Sequence, residues 1–362
     1  MPSRKKTPPL IIGSHTVEAG ERSTISLPVG TFLTHEQLVL KTIVVRGQTE
    51  GPTLLLTACI HGDEYNGTEI IRRVLRTPAV RKLRGTLIAV PIVNRPGFVT
   101  RSRYMPDRRD LNRLFPGSAT GPLGSRLARV LSDQLLPLCD VVIDLHTGAV
   151  NRPNLPQIRI TTDDDKALEL AKCFAPPVIL SAAKREGSFR GAGRDLDKPV
   201  LLFESGEALR LDTPSIRFGV QGVLSVMRQL GMLASKAGKS RVKAAPIISN
   251  KSYWERAPRG GIFTPLAPLG RVVKEGETIG FIADPYGSAE TEVVCTRSGI
   301  VIGRTNDAFG ASADNPMGHA PGMWIFSVLG FLALFFAVML RREETGPHAH
   351  GLETITTSTP TG

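Results

Sequence analysis

The sequence has few cysteines and no long apolar run near its amino terminus. The four cysteines are Cys59, Cys139, Cys173 and Cys295. They are far apart and show no C-x-x-C spacing, so we expect free, buried thiols in a reducing compartment. The basic residues at the amino terminus are not followed by the apolar core of a signal peptide, and we therefore predict a cytoplasmic catalytic domain.

The chain also lacks a concentrated block of one charge. Its net charge is +12 at pH 7, with 45 Lys and Arg against 33 Asp and Glu, but the basic residues are dispersed. Only residues 101–113 are dense in arginine. This pattern indicates at most a weak preference for anionic substrates or surfaces, and we predict no nucleic-acid partner. With 41% apolar and 22% charged residues, the composition is that of an ordinary globular protein.

Short apolar runs alternate with segments of helical periodicity through the first two thirds of the chain. Runs without polar alternation, separated by helices, indicate an α/β fold with a mixed sheet flanked by helices. The predicted strands are Thr53–Ile60, Thr86–Val93, Asp140–Leu145, Gln157–Ile160, Pro177–Leu180 and Pro199–Phe203. The predicted helices are Tyr65–Arg76, Leu123–Leu136, Asp164–Phe174 and Thr213–Leu233.

The composition divides the chain into three parts. Residues 1–240 form the large α/β domain, and the turn-rich residues 245–305 predict a small β barrel that resembles lipoyl- or biotinyl-type domains without a lysine to modify. Residues 306–362 form a tail. Within it, Met323–Leu340 is 18 residues without a charge, which predicts a transmembrane helix and a membrane-anchored protein. The alternative is that this apolar segment packs against the barrel.

Three of the predicted strands end on residues that bind metals or move protons. His61 and Glu64 follow the first strand, His146 follows the third and Glu204 follows the sixth. Ligands sit at the carboxyl ends of strands in such sheets, so these side chains are expected to meet. Two imidazoles and one carboxylate are a ligand set of catalytic zinc, which keeps a further position for water.

Four motifs carry a resemblance to a known family. They are H-G-D-E at 61–64, R-D-L-N-R-L-F-P-G at 109–117, D-L-H-T-G at 144–148 and F-E-S-G-E at 203–207. Together they resemble the succinylglutamate desuccinylase/aspartoacylase family, a branch of the zinc carboxypeptidase-like hydrolases, over residues 51–305. The resemblance implies one Zn²⁺ per chain, held by His61, Glu64 and His146. It also implies that Glu204 is the general base and acid, with Glu207 as the rival residue.

The arginine-rich segment is interpreted through the same resemblance. Asn112 and Arg113 are similar to the pair that binds a substrate carboxylate, a task that suits the planar guanidinium. Arg103 is similar to the arginine that stabilises the oxyanion beside zinc. The rivals of Arg103 are Arg101, Arg108 and Arg109.

Two aspartates lie beside these motif residues. Asp110 is expected to brace its loop. Asp144 is placed on the strand face opposite to His146, so it is not expected to be a firm partner of the histidine.

The function predicted from these residues is hydrolysis of a small, carboxylate-bearing acylated substrate. We expect a zinc-dependent hydrolase that cleaves an N-acyl amino acid, or a related amide or ester, by metal-activated water. One alternative is a carboxypeptidase-like peptidase, which needs the same metal, base and carboxylate anchor. A second alternative is a membrane-tethered metal-binding protein without activity.

Overall fold

The computed structural model describes residues 8–32, 34–235, 245–306, 309–310 and 322–326. The strands are β1 Leu10–Ile12, β2 His15–Val17, β3 Arg22–Thr31, β4 Gln37–Arg46, β5 Thr53–Ala58, β6 Thr86–Val90, β7 Val141–Gly148, β8 Asn154–Thr161, β9 Val178–Ala182, β10 Val200–Glu207, β11 Ile247–Ser249, β12 Tyr253–Arg256, β13 Gly261–Pro265, β14 Val272–Val273, β15 Thr278–Ala283, β16 Glu290–Val294, β17 Gly299–Arg304, β18 Phe309–Gly310 and β19 Gly322–Phe326. The α-helices are α1 Asn66–Arg76, α2 Arg95–Thr100, α3 Leu123–Gln134, α4 Asp165–Phe174, α5 Phe189–Asp195 and α6 Thr213–Gln229. All six predicted strands and all four predicted helices are present, with shifted ends.

A large mixed sheet organises the fold, as predicted. Its main path runs β12-β19-β17-β8-β10-β7-β5-β6-β4-β3, and β9, β11 and β14 pair off this path. The strands β10, β7, β5 and β6 are parallel neighbours, whereas β8 is antiparallel to β10. The carboxyl ends of β5, β7 and β10 therefore meet at one edge of the sheet, where loops and helix starts can carry functional side chains.

Helices cover both faces of this sheet, which explains why its central strands have apolar residues at successive positions. Leu54 and Leu56 of β5 point into a core shared with α1, α4 and α6. Leu55, between them, points into a second core shared with α3 and α5. Every residue of β7 is buried. A strand buried on both sides cannot shift its register without losing contacts on both, so the positions of the side chains at its end are firmly set.

Six elements of the first 240 residues were not predicted: the strands β1 to β4 and the helices α2 and α5. The strands β3 and β4 form a long antiparallel hairpin in which buried and exposed positions largely alternate. The short helix α5 contains two glycines and packs on β10 and β8. Tertiary packing holds this helix despite its weak intrinsic propensity.

The carboxyl-terminal strands join the central sheet as well as forming a sheet of their own. Strands β16, β15, β13 and β18 make a four-stranded sheet around an apolar cluster that includes Phe263, Ile279 and Val301. Strand β17 pairs with β8 at Gly303 and Asn154, and β11 pairs in parallel with β9. The turn-rich pattern of 245–305 thus corresponds to strands, while the domain boundaries stay predictions.

The predicted transmembrane helix Met323–Leu340 is wrong at its amino-terminal end. Residues Gly322–Phe326 form strand β19, which lies between β12 and β17 and is antiparallel to both. Backbone groups that pair with strands on both sides cannot also make the hydrogen bonds of a helix. Residues 327–340 lie outside the described residues. Among the residues that the structure describes, no helix combines the length and apolar character needed to cross a bilayer.

Candidate metal centre

The first two candidate ligands lie in the turn between β5 and α1. The chain leaves β5 through Cys59, which has a left-handed φ of 54°, and reaches α1 at Asn66. At Gly62 the backbone of α2 comes so close that a Cβ would lie 2.1 Å from the carbonyl carbon of Gly97. Only glycine allows this approach, and the approach holds the loop of His61 and Glu64 over the sheet edge.

His61, Glu64 and His146 converge in a buried cluster. His61 Nδ1 lies 2.7 Å from Glu64 Oε1, and His146 Nδ1 lies 2.8 Å from Glu64 Oε2. One ligand atom from each residue falls within 4.8 Å of the others. The three predicted ligands are therefore brought together, and the cluster could hold a metal ion. Its two nitrogens and one carboxylate suit zinc, which takes such donors and leaves room for water.

Each histidine is oriented by a second carboxylate on its other ring nitrogen. His61 Nε2 lies 3.1 Å from Asp110 Oδ1, and His146 Nε2 lies 2.7 Å from Asp144 Oδ2. A carboxylate only accepts hydrogen bonds, so an Nε2–H that donates to Asp110 or Asp144 would leave the Nδ1 of each ring, on the side of Glu64, available to a metal ion. Carboxylate–histidine pairs of this kind orient metal ligands and raise their basicity.

The expectation for Asp144 is wrong. Residues two apart on a strand share a face, so Asp144 and His146 of β7 point to the same side of the sheet. The hydroxyl of Thr57 on the adjacent strand donates a hydrogen bond of 2.6 Å to Asp144 Oδ1 and fixes this carboxylate. Asp144 is thus a direct partner of the histidine.

Asp110 connects the cluster to the turn Leu111–Arg113, which follows Asp110 in sequence. Besides His61, its carboxylate accepts hydrogen bonds from Arg103 Nη2 at 3.2 Å and from the backbone N–H of Asn112 at 2.8 Å. Burial alone would raise the pKa of Asp110, but the bond from His61 and the charges of His61 and Arg103 hold that pKa well below its usual range. Asp110 therefore braces its loop, as predicted, and it also contacts His61 of the candidate metal centre.

The electrostatics of the cluster favour a cation. Burial raises the pKa of Glu64, yet the charges of His61 and His146 outweigh burial and lower that pKa. For His146 the directions are reversed. Burial lowers its pKa, but the carboxylates of Asp144 and Glu64 raise that pKa well above its usual value. Glu64 is therefore ionised, and the space between it and the imidazoles stabilises positive charge, whether a proton or a metal ion.

Arg103, for which an oxyanion-stabilising role is predicted, lies against the cluster. Its Nη1 donates to Glu64 Oε1 at 3.1 Å, and 27% of its side chain is exposed. Burial would lower the pKa of this guanidinium, but Glu64, Asp110 and Asp63 together raise it. Arg103 is thus a permanent positive charge at the open side of the cluster.

Glu204 lies beside the cluster on the adjacent strand. In the parallel register of β10 and β7 it is directly opposite His146, so both side chains point to the same face. Asn154 Nδ2 donates to Glu204 Oε2 at 2.7 Å, and Arg159 Nε lies 3.8 Å from Glu204 Oε1. One carboxylate is therefore oriented next to a candidate metal ligand.

The rival carboxylate, Glu207, has different surroundings. The register of β10 shifts between the two glutamates, where Gly206 has a left-handed φ of 72°. Glu207 forms an ion pair with Arg210. It lines a cleft of about 420 Å³ whose walls include Phe218 and Leu269 but not Glu204 or the three candidate ligands. Of the two carboxylates, Glu204 is the one that lies opposite a candidate metal ligand, whereas Glu207 lies opposite Gly148.

Asn112 and Arg113 lie in a short 3-10 turn, Leu111–Arg113, whose first N–H groups are capped by Asp110. The side-chain oxygen of Asn112 accepts the backbone N–H of Phe189, the first residue of α5, at 2.8 Å. This bond turns the amide so that its nitrogen remains the group that can donate to a ligand. Asp110 contacts both Asn112 of this turn and His61, so the two predicted carboxylate-binding residues are connected through Asp110 to the candidate metal ligands.

Sequence reasoning missed two polar residues of the site and misplaced a third. Asn154 and Arg159 reach Glu204 from β8, and Asp144 reaches His146 within β7. The two-residue spacing of D-L-H was a sufficient signal for Asp144. The other two depend on β8 being antiparallel to β10, which the sequence pattern does not specify.

Comparisons with known proteins agree with this geometry. Residues 50–230, half of the chain, match the sequence model of the succinylglutamate desuccinylase/aspartoacylase catalytic domain. An N-alpha-acetyl-L-2,4-diaminobutyric acid deacetylase of Halomonas elongata is 29% identical over 277 residues, covering 73% of this chain and 80% of the relative. A succinylglutamate desuccinylase/aspartoacylase structure from Rhodobacter sphaeroides has a TM-score of 0.74 at 25% identity, covering 86% of this chain and 95% of that one. The product-bound ectoine utilization protein EutE from Ruegeria pomeroyi has a TM-score of 0.73 at 23% identity, covering 84% and 94%. The likeness to EutE concerns the fold alone.

Proposed function

Because the chain belongs to the succinylglutamate desuccinylase/aspartoacylase family, we propose that it is a zinc-dependent hydrolase that removes the acyl group from a small N-acyl amino acid. The observation that carries the proposal is the buried cluster of His61, Glu64 and His146, with both imidazoles oriented by carboxylates. Glu204, in register beside His146, supplies the acid–base group that the reaction needs.

The residues around the cluster divide the chemical tasks. His61, Glu64 and His146 would hold the zinc ion, which supplies a Lewis acid for the acyl carbonyl and lowers the pKa of water. Glu204 accepts the proton of the attacking water and then gives it to the nitrogen as the C–N bond breaks. The guanidinium of Arg103 stabilises the negative charge that develops on the carbonyl oxygen.

The substrate is positioned by its carboxylate. Arg113 and the amide nitrogen of Asn112 bind the α-carboxylate of the amino acid, since a planar guanidinium matches the two carboxylate oxygens. The deacetylase of Halomonas elongata supports an acetylated amino acid as substrate and makes Nα-acetyl-L-2,4-diaminobutyrate the first compound to test.

The test is metal content together with acid release from a panel of N-acetyl, N-succinyl and N-formyl amino acids and short peptides. Wild-type protein should contain about one zinc per chain and release free acid, and chelation should abolish hydrolysis until zinc is restored. His146→Ala should contain far less zinc, whereas His15→Ala, a matched change in the peripheral strand β2, should contain as much as wild type. Full zinc occupancy in His146→Ala, or hydrolysis of the peptides alone, would contradict the proposal.

A further inference from the structure

Gln157 is a buried amide without a hydrogen-bond partner. Its residue is 0% exposed, and neither its Oε1 nor its Nε2 makes a hydrogen bond within the described part of the chain. Burying a polar amide without a partner is unfavourable, so such groups are rare in native proteins and call for an explanation. An explanation by folding alone is weak, because an apolar side chain of the same size would fill the position at lower cost.

The position of Gln157 in the sheet connects it to the catalytic residues. Gln157 of β8 is directly opposite Glu204 of β10, and Glu204 is directly opposite His146 of β7. Residues that are opposite one another on neighbouring strands point to the same face of a sheet. The three side chains therefore form one row, with Gln157 about 10 Å from His146 across two strand spacings.

The surroundings of Gln157 change from polar to apolar along this row. On the side of Glu204 lie Asn154 and Arg159, both near the glutamate carboxylate. On the other side, Val178 of β9 is directly opposite Gln157 and belongs to an apolar cluster with Ile300 and Ile302 of β17. The amide thus lies at the inner end of the polar site, where aliphatic side chains begin.

We propose that Gln157 determines specificity by hydrogen-bonding the side chain of the amino acid released from the substrate. The inference rests on the proposed function. In that reaction Glu204 gives its proton to the scissile nitrogen, so we place the released amino acid on the side of Glu204 away from His146. Gln157 is the next residue in that direction. Asn112, which binds the carboxylate of the same amino acid, holds α5 over β8 and β10 through Phe189.

The amide selects side chains that can hydrogen-bond. A primary amide has both donors and an acceptor, so it can pair with an amine or with another amide. A substrate with an aliphatic side chain of equal size would leave the amide of Gln157 buried without a hydrogen-bond partner. Sites built to hydrogen-bond a substrate discriminate strongly against analogues that lack the matching group. We therefore expect side chains ending in an amine or an amide to be preferred over aliphatic ones.

Two pairs of substrates with matched shape test this role in the full-length, zinc-loaded protein. Nα-acetyl-L-2,4-diaminobutyrate is compared with Nα-acetyl-L-norvaline, and Nα-acetyl-L-asparagine with Nα-acetyl-L-leucine. Wild type should favour the polar member of at least one pair roughly tenfold or more in kcat/KM. Gln157→Met should reduce that preference below roughly threefold, mainly by raising KM for the polar substrate. Gln134→Met, in α3, is the matched control and should keep the wild-type preference.

The melting temperature separates this role from a structural one. Gln157→Met removes no hydrogen bond within the described chain, so its Tm should equal or exceed that of wild type. A polar preference that persists in Gln157→Met would overturn the proposal, as would an equal loss of kcat for both members with a shifted pH profile, which would indicate positioning of Glu204. If wild type hydrolyses none of the four compounds but releases acid from other N-acyl amino acids, the expected preference is refuted while the proposed function stands; if it hydrolyses no N-acyl amino acid at all, the proposed function fails.

Discussion

Glu204 and Glu207 are three positions apart on β10 and have opposite relations to the candidate metal centre. Glu204 is opposite His146 and oriented by Asn154, whereas Glu207 is paired with Arg210. Glu204→Gln should keep zinc and lower kcat by roughly 10²–10⁴-fold, because it removes the proton acceptor. The matched change Glu207→Gln should affect kcat far less. Rates of acid release and zinc content measure both effects, and a comparable loss in Glu207→Gln would show that the roles are reversed.

The proposed role of Arg113 predicts that activity depends on a negative charge on the substrate. Arg113→Ala should lower kcat/KM for substrates with a free α-carboxylate by roughly 10–100-fold, since a charge-assisted hydrogen bond is lost. The corresponding α-amides should lose much less. Arg109→Ala is the matched control, because Arg109 is in the same loop but its nearest acidic partner is Asp107 at 3.8 Å. Equal losses for acids and amides would place the carboxylate anchor elsewhere.

At the residue scale, the sequence was sufficient for the groups with an unmistakable chemical signature. His61, Glu64 and His146 were predicted from motifs at strand ends, and the structure brings their ligand atoms together. Gln157 was not identified, because a glutamine within an apolar run has no signature of its own. Its interest comes from strand register and burial, which are properties of the folded sheet.

Strand β7 acts as a unit, because its alternation places Asp144 and His146 on one face. Asp144→Asn keeps the shape of the side chain but removes the charge that holds the Nε2 proton of His146. We expect zinc affinity to fall by roughly 10–100-fold, as is usual when the partner of a metal-binding histidine is changed. Competition with a chelator measures the affinity. Asp140→Asn, next to the start of the same strand, should keep wild-type affinity, because the Asp140 carboxylate accepts a hydrogen bond from the backbone N–H of Thr53, at the end of β7 away from His146.

At the element scale, the central strands and the four main helices were predictable, whereas the sheet edges were not. Continuous apolar runs such as that of β5 are typical of a strand buried on both faces. The hairpin of β3 and β4 alternates instead, with Ile25 and Leu27 buried on one face. That signal was present in the sequence. Strand β19 was mistaken for part of a helix because a short apolar run has no periodicity that separates the two structures.

At the scale of the whole molecule, β19 connects the end of the described chain to the main sheet. Truncation after Phe326 should leave Tm nearly unchanged, because every described strand remains. Truncation after Asn306 removes β18 and β19, exposes edges of β12 and β17, and should lower Tm by roughly 5 °C or more. Circular dichroism melts of the two truncated proteins and the full chain provide the comparison. Equal melting temperatures would mean that β19 adds nothing to stability.

The separation of the candidate ligands along the chain has a thermodynamic consequence. His146 and Glu64 are 82 positions apart, so their contact exists only when β5 and β7 are paired. An ion that binds the paired form and not the unfolded chain stabilises folding, by about 4.1 kcal/mol when its free concentration is 1,000 times its Kd. Chelators should therefore act as mild denaturants of this protein. The unfolding midpoint, titrated against free zinc, would report the affinity of the ion without any substrate in the experiment.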